Sequence, residues 1–269
     1  MAVDRIIDGG NAFDWGRAAG DYAKFRDIYP DEFYQRIIDL GLCIKGQDVL
    51  DLGTGTGVLP RNLYRFGAQF TGTDISAGQI EEAERLSTES GMDIKYMVSA
   101  AEDVNFPANS FDVVTACQCY IYFNEKVVLP KIHGMLKDGG RYCILWMAWL
   151  PYEDRIAQAS ENLVLKYNPA WTGGGTKRHE LVIPEWAQSL FSVRNSIQYD
   201  LKLPFTRESW HGRIRACRGI GASSLPDEAI AEFEREHIEM LNGLPETFEI
   251  LHFAAILDLL KSPGPANRS

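Results

Sequence analysis

The chain has 269 residues, 45% of them hydrophobic and 24% charged, an ordinary composition for a soluble globular protein able to bury a substantial core. Its 37 acidic residues against 27 Lys and Arg give a net charge of −10, which disfavours a nucleic-acid partner because such binding rests on phosphate neutralisation. No apolar run reaches the roughly 18 residues of a membrane span, residues 1–14 lack a signal-peptide core, and five cysteines without repeating spacing suit a reducing cytoplasm better than a disulfide framework.

In chain order, the segment 13–29 sets Tyr22, Phe25, Arg26 and Tyr29 three or four apart, which predicts a shared helix face before Pro30. Pro30-Asp31-Glu32 opens a second helix to about Leu40, with acids suitably placed in its first turn. Val49–Leu52 reads as a buried strand ending in the turn Gly53-Thr54-Gly55-Thr56-Gly57, and a helix runs from Val58 to Phe66. Alternating glycines permit positive φ and let a ligand approach the backbone without meeting a Cβ. The next strand, Ala68 to Asp74, ends in an acid about 20 positions after Gly53, the spacing at which a carboxylate reaches ribose hydroxyls. Ser76 and Gln79 read as a capping box for the helix that follows.

A third strand is expected at Ile94–Val98, a fourth from Ser110 to Gln118, a helix over Glu125–Leu136 and a fifth strand over Arg141–Met147. Beyond a helix at Glu153–Tyr167, the glycine-rich loop 168–179, tipped with Trp171, reads as a lid. A sixth strand (Phe191–Leu201) leads to a helical insertion from Thr206 to Gly221. Ser224 and Asp227 are expected to cap an acidic helix ending near Leu241. The last strand, Phe248–Leu257, is interrupted by Glu249 and His252, which suits an edge or antiparallel strand. The tail 262–269 reads as disordered. Cys117-x-Cys119 lacks metal-knuckle spacing, and no His/Cys/carboxylate cluster has the spacing of a metal site, so no metal is expected.

Asp51-x-Gly53-x-Gly55-x-Gly57 after a hydrophobic strand resembles the first motif of the class I S-adenosylmethionine (SAM) dependent methyltransferases, in particular the type 11 or UbiE-like small-molecule group. A dinucleotide-binding turn would need glycine at 58, where the chain has Val58. Ser110-Phe111-Asp112-Val113-Val114 is similar to the family's S-F-D-x-V signature, Ser99–Pro107 to its adenine loop with Ala100 in place of the usual aspartate, and Tyr22, Arg26, Tyr29 and Pro30 to a segment that closes over the cofactor. The resemblance implies an α/β doubly wound, Rossmann-like sheet of seven strands, mostly parallel with the last strand antiparallel, decorated by helical lid insertions. Its expected parts are an N-terminal helical cap (1–44), a SAM-binding core (45–148), a lid insertion (149–190) and the rest of the sheet (191–261) with a second insertion at 206–241.

The resemblance also implies SAM as cofactor and S-adenosylhomocysteine as product. The cofactor contacts expected from it are Tyr22 and Arg26, the turn residues Asp51, Gly53, Thr54, Gly55 and Gly57, then Asp74, Ile75 and Gln79, the loop residues Ala101, Glu102 and Asp103, and Cys117 and Gln118. Arg26 would pair with the methionyl carboxylate, and either Glu102 or Asp103 would take the adenine amino group. Gln118-Cys119-Tyr120-Ile121 stands where amino-directed enzymes carry an N-P-P-Y-like tetrad, which argues against methylation of DNA bases or glutamine. The acceptor candidates are Tyr122, Trp149, Trp171, Arg178, Trp210, Arg213 and Arg218. Arg215 and Arg218, three apart, are expected to share a helix face that would suit a carboxylate or phosphate. His179, His211 and Tyr122 are the candidate proton acceptors should the acceptor need one. The expected function is in-line methyl transfer from SAM to a small molecule in the cytoplasm, without nucleic acid or membrane, by a monomer or homodimer. The alternatives are a protein or RNA methyltransferase and a SAM-binding regulatory protein without catalysis.

Overall fold

Strand side chains alternate between two apolar layers. In β1 (Asp48–Leu52), Val49 enters one layer and Leu50 and Leu52 the other, while β5 (Leu136–Trp149) sends Cys143, Leu145, Met147 and Trp149 one way and Tyr142 and Ile144 the other. With β2 (Gln69–Asp74), β3 (Lys95–Val98), β4 (Phe111–Cys117), β6 (Phe191–Thr206) and β7 (Thr247–Lys261), they form one sheet in the order β3-β2-β1-β4-β5-β7-β6. This computed structural model describes residues 7–263; the side chains at 18, 19, 21 and 22 also lie outside the described residues.

The pairs β3–β2, β2–β1, β1–β4 and β4–β5 are parallel, and β7 runs antiparallel to both β5 and β6. Strand order reverses direction at β1, between β2 and β4, and in such sheets ligands bind beyond the strands' carboxyl ends at that point. The first layer is covered by α2 (Asp31–Asp39), α3 (Val58–Leu63), α6 (Arg155–Tyr167), α7 (Arg207–Arg215) and α8 (Asp227–Asn242); α5 (Glu125–Met135) covers the second.

Four local expectations change. The N-terminal helix α1 (Ala19–Phe25) follows a 3₁₀ turn at Trp15–Ala18 and ends short of Tyr29, the residue that Pro30 itself keeps out of helical backbone. Ser76 occupies the N-cap of α4 (Ala77–Glu89), but its side chain makes no capping bond and the Gln79 amide donates instead to the Trp15 carbonyl at 3.0 Å. Pro226 rather than Ser224 precedes α8, its extended backbone (φ −61°, ψ 150°) leading into the acids Asp227 and Glu228 of the first turn. The last strand is antiparallel but interior, and β6 forms the edge. Of the expected disordered tail, residues 264–269 lie outside the described residues, while Ser262 donates its N–H to the Leu190 carbonyl.

The antiparallel strand is tied down by a buried charge. Asp258 of β7 is wholly buried; it accepts from Arg141 Nε at 2.6 Å and from Asn195 Nδ2 at 2.6 Å, and Arg141 Nη1 donates to the Leu40 carbonyl at 3.0 Å. One ionic knot thereby joins β5, β7, β6 and the end of α2. Asp258→Ala leaves Arg141 without its buried carboxylate, so urea denaturation is expected to show a loss of about 3–5 kcal/mol.

Candidate functional site

The glycine turn leaves β1 through three left-handed residues, Gly53 (φ 62°), Gly55 (φ 57°) and Gly57 (φ 72°). At Gly53 the requirement is also steric, because a Cβ there would lie 2.8 Å from the Cys119 sulfur. Asp51, immediately before the turn, is buried and accepts the Thr115 hydroxyl of β4 at 2.6 Å. Burial pushes its carboxyl up to about 6, against the downward pull of hydroxyl bonds. Asp51 thus anchors the strand pair on which the turn stands.

Asp74 faces the turn from the end of β2. Its Oδ2 accepts the Gly55 N–H and its Oδ1 the Ser76 N–H, both at 2.9 Å, and burial raises its carboxyl above the usual range. Each oxygen retains a lone pair, so the group has acceptor capacity for a diol. Beside it, Ile75 is 70% exposed and Val98 of β3, the register partner of Asp74, 54% exposed, an apolar surface at the strand ends. In the following loop Glu102 Oε1 accepts the Asn124 N–H at 2.7 Å, while Asp103 is solvent-exposed and Ala101 buried.

At the end of β4, Gln118 takes a positive φ of 65°, and its side-chain amide donates to the Met147 carbonyl of β5. Burial pushes the Cys117 thiol up to about 12, partly offset by the bond to the Tyr29 hydroxyl and by the Arg26 charge. Tyr122 follows on a short 3₁₀ turn (Tyr120–Tyr122); its hydroxyl accepts from Arg218, and its ring lies 5.9 Å from that of Phe13. Trp15, the next aromatic along, sits 5.9 Å from Phe13, with its carbonyl on Gln79. The N-terminal segment therefore runs from the start of α4, next to Asp74, to Tyr122. Tyr22 falls within α1, with its side chain outside the described residues.

The remaining candidates disperse. Arg218 lies beyond α7, which ends at Arg215, so the two share no helix face; Arg215 pairs with Glu234 at 2.6 Å. Arg213 is buried with its guanidinium 4.8 Å from the Trp149 ring, and Trp149 donates its indole N–H to Glu161 at 2.5 Å. Trp171 is not a tip but a buried plug whose ring would be met by any Cβ at Gly219. Trp210 is fully buried and donates to Ser160 at 2.9 Å. Arg178 is held by Asp200 and Glu153. His179 lies beside the rings of Trp146 and Phe253, and His211 shares a 2.9 Å Nδ1···Nδ1 hydrogen bond with His237 of α8. Among the candidate proton acceptors, Tyr122 is tied to the segment that reaches the turn through the Phe13 ring.

Several participants escaped the sequence reading. Asp8 and Thr172 meet Arg218, and Glu161 is a buried carboxylate gripping both Trp149 and the Gly175 N–H. No spacing signal marks them; the Phe13-x-Trp15 aromatic pair was the nearest available cue. Among the described residues, no group of three or more His, Cys, Asp or Glu is arranged to hold a metal, and no helix is long and apolar enough to cross a membrane.

Residues 49–140, from β1 into β5, match the family model of the methyltransferase domain. This stretch is a methyltransferase domain of the class I SAM-dependent kind. It is 38% identical over 112 residues to aklanonic acid methyltransferase DauC of Streptomyces sp. strain C5, covering 40% of this chain and 51% of that one. It is 32% identical over 132 residues to a Dictyostelium discoideum protein named as a methyltransferase, covering 49% and 48%. The chain thus spans about half the length of these two curated relatives. The solved structure of YcgJ from Bacillus subtilis superposes with a TM-score of 0.53 at 20% identity, covering 87% of this chain and all of that one, which establishes the shared fold. The site suits SAM on its own chemistry as well. It offers a glycine cradle, a carboxylate with acceptor capacity, an exposed apolar surface, and Gln79 Oε1 as a buried acceptor without a partner among the described residues.

Burial also makes a prediction about acid. It pulls His237 and His252 down to about 3, the His211 charge adding to the effect at His237. A depressed histidine contributes stability that is complete above its unfolded value near 6.5 and is lost as pH falls toward the folded value, because the unfolded chain then binds the extra proton. Asp51, held up at about 6, acts in the opposite sense between its unfolded value and 6. His237→Gln isolates one histidine. Between pH 6.5 and 5, wild type is expected to lose about 2 kcal/mol more stability than the variant, measured by urea denaturation at each pH.

Proposed function

We propose that the protein transfers a methyl group from SAM to a small, acidic organic molecule enclosed beneath its N-terminal segment and insertions. The observation that carries this reading is the junction at Tyr122. There the segment after β4, the N-terminal segment and the turn after α7 meet at one side chain, the Tyr122 ring packing near Phe13 and its hydroxyl accepting from Arg218. Such an enclosure suits a metabolite better than a macromolecular side chain.

In this reading the Asp74 carboxylate takes the ribose hydroxyls, Ile75 and Val98 flank the adenine, and Asp103 takes its amino group, Glu102 being engaged with Asn124. Arg26, whose charge acts on both Cys117 and Cys217, takes the methionyl carboxylate. Bound SAM supplies an electrophilic methyl group on a sulfonium. The chain's task is then to hold the acceptor in line and dry, and positioning of this kind is worth roughly 7–11 kcal/mol of barrier. A carboxylate acceptor needs no proton removed. It also agrees with the presence of two buried arginines, Arg213 beside Trp149 and Arg218 beside Tyr122, in a chain of net charge −10, and one relative is named for aklanonic acid.

Two measurements test the reading. Incubation with radiolabelled SAM and cell extract is expected to place label in the metabolite fraction; label confined to protein or RNA overturns the acceptor class. Asp74→Ala is expected to weaken SAM binding by about 10- to 100-fold in calorimetry, the value of hydrogen bonds to a charged group; unchanged affinity removes Asp74 from the ribose.

A further inference from the structure

Four chain segments distant in sequence meet at one guanidinium. Arg218, in the turn after α7, donates Nε to Asp8 Oδ2 of the N-terminal segment, Nη1 to the Tyr122 hydroxyl after β4 and Nη2 to Thr172 Oγ1 in the loop after α6. Thr172 closes the circuit, giving its N–H to Asp8 Oδ1 at 2.8 Å and its hydroxyl to the same oxygen at 3.0 Å. The ion pair is almost dry, with side-chain exposures of 7% for Arg218 and 5% for Asp8. Asp8 adopts left-handed backbone (φ 50°, ψ 38°), which a non-glycine residue holds only when its surroundings fix it.

A buried ion pair has an uneven free-energy profile. Both charges must leave water, and the loss is offset only when every hydrogen bond is made at once. Partial closure, with one segment docked and another lifted, strands a desolvated charge. The N-terminal segment is also pinned further along, by Asp14 N–H to the Ala222 carbonyl at 2.8 Å, Arg17 to the Ser223 carbonyl at 2.9 Å and Gln79 to the Trp15 carbonyl at 3.0 Å.

We propose that the Asp8–Arg218–Thr172 node is a latch that closes the N-terminal segment and the 168–175 loop together, and that Arg218 is the positioning residue that then fixes the Tyr122 hydroxyl. The second half rests on the methyltransferase reading; the first does not. The latch makes the two covers one cooperative unit, so neither opens alone.

Hydrogen exchange on the full chain without SAM tests the coupling. In Asp8→Asn, amides in 7–17 and 168–175 are both expected to exchange at least tenfold faster than in wild type, while those of β1, β4 and β5 stay protected. Thr172→Val, which keeps the shape but removes the hydroxyl bridge, should reproduce this in milder form and serves if Asp8→Asn does not fold. Acceleration of one segment alone, or of neither, overturns the latch. Arg218→Lys keeps the charge opposite Asp8 but not the planar fork that also reaches Tyr122. Protection of both segments is expected to stay near wild type while label transfer from SAM falls more than tenfold; transfer at the wild-type rate overturns the positioning role. If wild type binds no SAM in calorimetry, the methyltransferase reading fails, and the exchange result still decides the latch.

Discussion

The Asp51 carboxylate, sunk beneath the sheet's helical cover and tied to the Thr115 hydroxyl, is the constraint on which the site is built. A buried carboxylate is costly unless hydrogen-bonded, and the register that satisfies it sets Asp51 opposite Thr115 on one side and Gly72 on the other. That register fixes the height at which β1 ends relative to β2 and β4. The glycine turn then emerges within reach of Asp74, whose carboxylate receives the Gly55 N–H. Cys119, just past β4, donates its thiol to the Leu52 carbonyl and occupies the space that any side chain at Gly53 would need. Strand register, turn conformation and the neighbouring strand end are three expressions of one geometric condition.

The core was legible because local rules and global fold agree there. Val49–Leu52, the three glycines and the acid ending β2 carry their meaning in spacing, and the structure places them at the sheet's reversal point. The antiparallel direction of β7 was also signalled, by Glu249 and His252 in an otherwise apolar run. Its interior position was not, because burial of Asp258 is permitted by Arg141, a partner more than a hundred residues away.

The insertions were opaque for a related reason. Trp171 and Trp210 read as candidate acceptor contacts because aromatic side chains look alike whether they plug a core or grip a ligand. Which they do depends on Gly219 leaving room for one and Ser160 accepting from the other. The arginines were misjudged by the same logic. A helix through 218 would have aligned Arg215 and Arg218, but α7 stops at Arg215, and that end sends one guanidinium to Glu234 and the other to Asp8. Asp8 itself lies in a segment with no periodicity, where a lone acid carries no signal until its partner is known.

The way β6 and β7 pair has an evolutionary consequence. They are adjacent and antiparallel, paired from Phe191 opposite Lys261 up to Thr206 opposite Thr247 with one register shift between Val193 and Asn195, so α7 and α8 hang from a single hairpin whose two stems are already zipped together. A hairpin of this kind holds its feet at fixed spacing whatever lies between them, and lengthening a loop costs only logarithmically in closure entropy. The connections between those helices can be lengthened or shortened without moving a strand of the sheet, while Trp210, Ile214, Phe233 and Leu241 keep the helices themselves packed on its core. The parallel strands and the connections within this hairpin are therefore free to diverge at different speeds.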